Sequence, residues 1–121
     1  MPVSSPMVYI ADDSELVRVA LRQRLLAAGL LVHAGGSAAD SRSITIREFS
    51  CALLDLDLGD GNGVEVAELL RVHQPTLPVA FFSGGASARV MERARGLGPV
   101  FRKPDELEEA IAWVLTKAHG G

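Results

Sequence analysis

Short apolar runs alternate with longer stretches of helical periodicity along this chain, and the alternation repeats five times. Met7–Ala11 is too short for a helix and reads as a first strand. Ser14 or Asp13 caps the helix behind it, where Val17, Leu21, Leu25 and Ala28 fall at helical spacing until Gly29. Residues 30–34 predict a second strand, closed by Gly35-Gly36. Residues 37–50 hold only Ile44, Ile46 and Phe49 as large apolar positions and predict a short, irregular helix. Residues 51–55 predict a third strand, followed by the turn-rich loop Gly59-Asp60-Gly61-Asn62-Gly63. A third helix carries Val64, Ala67 and Leu70 and stops before Pro75. Residues 78–82 form a fourth strand, 86–95 a helix and 100–102 a short fifth strand. Pro104 opens a last helix to about Ala118, with Leu107, Ile111, Val114 and Leu115 inward.

Five strands alternating with five helices define an α/β chain with a parallel sheet covered by helices on both faces. Right-handed crossovers make it doubly wound. For 121 residues the pattern predicts a single five-stranded, flavodoxin-like sheet in the order 2-1-3-4-5. One domain is expected over residues 1–121, its core spanning about 7–118.

Composition narrows the function. With 48% hydrophobic and 22% charged residues, the chain is an ordinary globular domain rather than a disordered one. A net charge of -3 argues against direct nucleic-acid binding. Cys51 is the single cysteine, so an intramolecular disulfide is excluded, and its apolar run marks it as a small buried hydrophobe. No apolar stretch reaches the length of a membrane span, and the start lacks the pattern of a signal peptide. A cytoplasmic address is the default expectation.

In such sheets ligands bind beyond the carboxyl ends of the strands. Strand 1 ends in Asp12-Asp13, strand 3 in Asp55, strand 4 in Ser83 followed by Gly84-Gly85, and strand 5 in Lys103-Pro104. Two carboxylates about 5 Å apart repel by roughly 3 kcal/mol at an effective dielectric near 20. A proton or a cation has to join three of them. Hard oxygen ligands suit Mg²⁺, which keeps waters and often holds a phosphate as well. A carboxylate beside such an ion can act as a nucleophile toward phosphorus. Lys103 adds positive charge, and the Ser83 hydroxyl and the amides near Gly84 can donate hydrogen bonds. Of the 12 basic residues only Lys103 and Lys117 are lysines, which makes the placement of Lys103 informative. The constellation is a coherent site for making an aspartyl phosphate.

Taken together, Val8-Tyr9-Ile10-Ala11-Asp12-Asp13-Ser14, Leu53-Leu54-Asp55-Leu56-Asp57-Leu58, the strand ending in Ser83 and Arg102-Lys103-Pro104 resemble the receiver domain of two-component response regulators. The resemblance implies that Asp55 accepts a phosphoryl group from a histidine kinase or phosphotransfer protein. It implies that Asp13 and Asp55 bind Mg²⁺ directly, that Asp12 acts through water and that the backbone carbonyl of Asp57 is a further ligand. Ser83 would swing to the phosphoryl oxygen, Gly84 would contact it through its backbone, and Lys103 would pair with it. A downstream protein would dock on the face of helix 4, strand 5 and helix 5. No effector segment is expected beyond residue 121, so output would pass through a partner or through a domain outside this sequence.

The chain departs from the family pattern at several positions. Gly59 stands where proline is usual, which predicts a looser loop. Asp57 adds an acidic side chain at a position tied to phosphoryl lifetime, and Gly85 leaves the opposite side open. Val100 replaces a rotating aromatic, and a β-branched side chain is stiff. Phe101 points to the other face of the sheet. Readout would then pass through the backbone and helix 4. Trp113 is read either as a partner surface or as packed against helix 4.

Alternatives remain at this stage. Asp12-Asp13 could only cap a helix, Asp57 could be the acceptor, and Ser83 could be a turn residue. The chain could be a receiver-like interaction module that works without phosphorylation. Asp55-Leu56-Asp57 also resembles the core of haloacid-dehalogenase-type phosphatases, although that family carries the motif on its first strand. Whether the chain turns over a substrate is left open.

Overall fold

The computed structural model describes residues 5–44 and 48–120. Ten elements follow one another: β1 (Met7–Ala11), α1 (Glu15–Ala27), β2 (Leu31–Gly35), α2 (Ala38–Arg42), β3 (Cys51–Leu54), α3 (Gly63–His73), β4 (Val79–Ser83), α4 (Ala88–Arg95), β5 (Val100–Arg102) and α5 (Leu107–Ala118). The five strands are all parallel and lie in the order β2-β1-β3-β4-β5. This is the flavodoxin-like arrangement that the alternation predicted.

The central strands are apolar on both sides because both sides are covered. Tyr9, Ala52, Leu54, Val79 and Phe81 face a cluster with Val64, Ala67 and Leu70 of α3 and Ala94 of α4. Val8, Ile10, Leu53, Ala80 and Phe82 face the opposite cluster with Leu21 and Leu25 of α1 and Ile111 and Val114 of α5. Each large side chain buried this fully contributes about 1.5–3 kcal/mol. Val100 packs into the first cluster and Phe101 into the second, as strand alternation requires. Trp113 is partly buried and packs against the α1–α5 cluster. Cys51 is buried in that cluster, and burial pushes its thiol up to about 12.

Several boundaries move from the predicted ones. β2 runs one residue later, because Ala11 pairs with Gly35 and the Asp12 amide continues the ladder to the Gly35 carbonyl at 3.1 Å. α2 is a single short helix, and Ile46 lies outside the described residues. α4 starts at Ala88 because Ser87 caps it, its hydroxyl accepting from the Val90 amide at 3.2 Å. Pro104 does not open α5. It sits in a turn after a cis Lys103–Pro104 bond, closed by Glu106, whose amide donates to the Arg102 carbonyl and whose carboxylate accepts from the Arg102 amide, both at 2.8 Å. Among the described residues no helix is long and apolar enough to cross a membrane.

Candidate functional site

The strand order decides which residues meet. β1 and β3 are neighbours, and their crossovers leave toward opposite faces, so a crevice opens at their carboxyl ends. Asp55 follows β3 directly, and its amide extends the ladder to the Ala11 carbonyl at 2.8 Å. This brings Asp55 beside Asp12 and Asp13. One carboxylate oxygen from each of the three lies within 4.8 Å of the others. Asp12 and Asp55 are buried, whereas Asp13 is exposed at the rim.

Lys103 reaches across from β5. Its Nζ lies 2.7 Å from Asp12 Oδ2 and 3.0 Å from Asp55 Oδ2. Its amide donates to the Ser83 carbonyl at 2.9 Å, and its ammonium lies 5.6 Å from the centre of the Phe82 ring. Burial works against the charged ammonium, but the hydrogen bonds to Asp12 and Asp55 outweigh it, and the net shift is upward. Burial also raises the Asp55 carboxyl, and the bonds from Lys103 and from the Asp57 amide offset only part of the rise.

One ammonium does not balance three ionised carboxylates. The remaining negative charge, an all-oxygen donor set and the exposed Asp13 on the solvent side fit a hard divalent cation that retains water.

The β1–α1 loop is fixed by its own bonds. The Ser14 amide donates to Asp12 Oδ1 at 2.9 Å, the Ser14 hydroxyl caps α1 through the Val17 amide at 3.3 Å, and Arg18 Nη1 donates to the Asp12 carbonyl at 2.6 Å. The side-chain cap of α1 is therefore Ser14 and neither aspartate, and Asp12 is held instead by the Ser14 amide and Lys103. The Ser83 hydroxyl is turned into its own loop, donating to the Gly85 carbonyl and accepting from the Gly85 amide, both at 3.2 Å. Gly84 is exposed, with open space where a side chain would stand.

The loop after Asp55 is not loose. The Asp57 amide donates to Asp55 Oδ1 and the Gly59 amide to Asp57 Oδ1, both at 3.1 Å. The Asp57 side chain is exposed. Gly59 has φ 79, a left-handed conformation that proline cannot adopt, so glycine here encodes a different turn rather than a slack one. Arg18 and Asp60 are the polar contacts that sequence reasoning missed. Asp60 binds amides 21 and 22 positions away in the chain, a pairing without a local sequence signal.

A crevice of carboxylates with one bridging lysine, set at the switch point of a flavodoxin-like sheet, defines a phosphoryl-handling class of α/β domain. The sequence profile described as "Response regulator receiver domain" matches residues 8–112, and the chain belongs to that family. It is 29% identical over 113 residues to the photosynthetic apparatus regulatory protein RegA of Cereibacter sphaeroides, covering 91% of this chain and 61% of RegA. It is 29% identical over 117 residues to the DNA-binding transcriptional regulator NtrC of Bradyrhizobium sp. (strain RP501 Parasponia), covering 94% of this chain and 24% of NtrC. It therefore spans less than two thirds of either relative. The non-phosphorylated HemR receiver domain from Leptospira biflexa superposes with a TM-score of 0.78 at 25% identity, covering 93% of this chain and 95% of that one. A CheY-like receiver domain from Methanospirillum hungatei shares the fold, with a TM-score of 0.77 at 23% identity over 98% of this chain and 100% of that one. Receiver domains bind Mg²⁺ at an acidic site and interact with histidine kinases or phosphotransfer proteins and with downstream effectors.

Proposed function

We propose that this receiver domain is a phosphorylation-controlled switch whose acceptor is Asp55. The observation that carries the reading is the placement of Asp55. It is buried, flanked by Asp12 and Asp13, and touched by the only ammonium that reaches the crevice among the described residues. An Asp55 carboxylate oxygen forms the new bond to phosphorus. The donor's P–N bond, or P–O bond for a small donor, breaks with its electron pair staying on the donor. Asp13, Asp55 and the Asp57 carbonyl would hold Mg²⁺, with Asp12 acting through water. The ion would supply charge neutralisation for the phosphoryl oxygens. Lys103 exchanges part of its contact with Asp55 for a phosphoryl oxygen, Ser83 rotates away from Gly85 to donate to another, and the Gly84 amide serves a third. Burial of Asp55 disfavours its ionised form, and formation of the acyl phosphate moves the negative charge from the buried carboxyl to the phosphoryl oxygens, where Lys103 and the ion would meet it.

A protein donor fits better than a metabolite alone. An apolar groove of about 320 Å³, with Leu16, Ala20 and Pro104 in its walls, opens beside Lys103, and Leu16 is 80% exposed. Uncovered apolar surface next to a reaction centre suits a macromolecular partner. A histidine kinase or phosphotransfer protein supplies both the surface and the phosphoryl group. Output is assigned to the α4–β5–α5 face, which carries the exposed charged residues Arg89, Arg93, Arg102, Asp105 and Glu109. The unit is taken as one domain working in the cytoplasm.

Intact mass after treatment with a small phosphodonor and Mg²⁺ tests the reading. The expected result is one added phosphoryl group, absent in Asp55→Asn. An unmodified wild-type mass, or equal modification of the variant, contradicts it.

A further inference from the structure

The loop that carries the Asp57 carbonyl is held from outside by α2. The Asp60 carboxylate accepts from the Ala38 amide at 2.8 Å through Oδ1 and from the Ala39 amide at 3.0 Å through Oδ2. Both amides belong to the first turn of α2 and have no partner within that helix. The two bonds hold the Asp60 carboxyl below the usual carboxylate range. At the next residue the loop backbone comes so near α2 that a Cβ on Gly61 would lie 2.9 Å from the Ala38 Cβ. Ala38 is itself buried and packed into the core, so it is a firm anchor.

From Asp60 the bonds lead back to the crevice without a gap. The Asp60 amide donates to the Leu58 carbonyl at 2.9 Å, and the Leu58 amide donates to the Gly61 carbonyl at 3.1 Å. The Gly59 amide holds the Asp57 carboxylate, and the Asp57 amide holds Asp55 Oδ1. From the other side, the Asp12 amide donates to the Gly35 carbonyl. The Gly36 amide donates to Asp40 Oδ2 of α2 at 2.7 Å. The amino end of α2 is thus fastened to the 57–61 loop, and its lead-in at Gly35-Gly36 is bonded to the Asp12 amide on one side and to Asp40 on the other.

We infer that Asp60 is a positioning residue for the metal site: through the Ala38 and Ala39 amides it fixes the 57–61 loop that presents the Asp57 carbonyl, and it couples site occupancy to α2. The inference rests on the metal reading given above. Where proline would have stiffened the loop at position 59, this chain uses a carboxylate on a helix end. Groups bonded directly to a metal ligand typically govern affinity by 10- to 100-fold, and Asp60, which acts one step further out, is placed at the low end of that range. By linkage, an ion that tightens the loop also tightens the α2 contact.

The test measures Mg²⁺ binding by calorimetry on the whole chain, together with hydrogen exchange of the Ala38 and Ala39 amides. Asp60→Ala is expected to weaken Mg²⁺ binding by roughly tenfold. Asp60→Asn offers one accepting oxygen where the two amides use two, so its affinity is expected to fall between those of Asp60→Ala and wild type. Mg²⁺ is expected to slow exchange at both amides in the wild type and not in Asp60→Ala. Gly61→Ala pushes the loop off Ala38 while keeping the Asp60 carboxylate in the chain, and the same loss of affinity is expected; it decides the matter if Asp60→Ala does not fold. Wild-type affinity in folded Asp60→Ala or folded Gly61→Ala overturns the inference, as does exchange at Ala38 and Ala39 that ignores bound Mg²⁺. A wild-type chain that binds no Mg²⁺ overturns the metal reading and this inference with it.

Discussion

Two loops flank Asp55, and they are built in opposite ways. The loop on the α3 side, residues 56–62, is bonded to itself, to Asp55 and to α2. The loop on the α4 side, residues 84–87, is exposed throughout, and its bonds are local, from Ser83 to Gly85 and from Ser87 to α4. The first wall is preorganised, and the second is free to rearrange. A receiver site needs both properties. A metal-facing carbonyl gains from rigidity, because its position is set before the ion arrives. A hydroxyl that has to leave one partner for another gains from a backbone without packed neighbours. Ser83 sits where the two regimes meet, at the end of a fully buried strand and at the start of an open loop.

Lys103→Ala removes the ammonium that bridges Asp12 and Asp55 and has the largest expected effect. Asp12 and Asp55 are 2% and 5% exposed, so they would be left buried and unpaired. The expected loss is about 2–4 kcal/mol in urea denaturation with chelator present. Mg²⁺ is expected to restore part of it by binding the folded state alone. If the chelated variant is as stable as wild type, the crevice is not electrostatically strained.

Gly59→Pro attacks the tied wall by inserting the residue usual in the family. Its fixed φ opposes the observed 79, and its ring removes the amide that holds Asp57. The expected cost is about 2 kcal/mol. Gly84→Ala probes the open wall, where nothing lies within 4 Å of the added methyl. Its expected effect is within about 0.5 kcal/mol. Equal costs for the two substitutions would erase the contrast between the walls.

The smallest effect is a pH slope. The folded-state pKa of Asp55 is raised, chiefly by burial. A group raised in this way contributes stability that is complete below its unfolded pKa and is lost as pH rises through the folded one. The metal-free fold should therefore lose this contribution as pH climbs out of the carboxylate range. Asp55→Asn should flatten that part of the profile, and an unchanged profile in the variant would place the strain elsewhere. Lys103 shows the same sign at the alkaline end, where its pairing is lost above its raised value.

The sheet was legible because its strands are buried on both faces, so each reads as an unbroken apolar run that a charge or hydroxyl ends abruptly. Asp12, Asp55 and Ser83 stand at those breaks, and the strand order alone brings the two aspartates together. Lys103 was legible by its rarity and its place after β5. The α2 region was legible only as a short helix within residues 37–50, since a helix of five residues carries too little periodicity to fix its bounds. Pro104 misled for a different reason. Proline suits the first turn of a helix, but it suits a turn equally well, and the Arg102–Glu106 closure that selects the turn depends on side-chain and backbone bonds across four residues. The looseness expected at Gly59 failed because glycine was read as absence of constraint, whereas its left-handed φ is a specific conformation. Arg18 and Asp60 act through backbone atoms of other segments, which no pattern of residue types encodes.

The account depends most on which carboxylate carries the phosphoryl group. After treatment with a small phosphodonor and Mg²⁺, borohydride reduces an aspartyl phosphate to a stable homoserine, which peptide mass spectrometry can place. The account predicts homoserine at position 55 and nowhere else. Homoserine at position 57, 12 or 13, or at none of them, would contradict it.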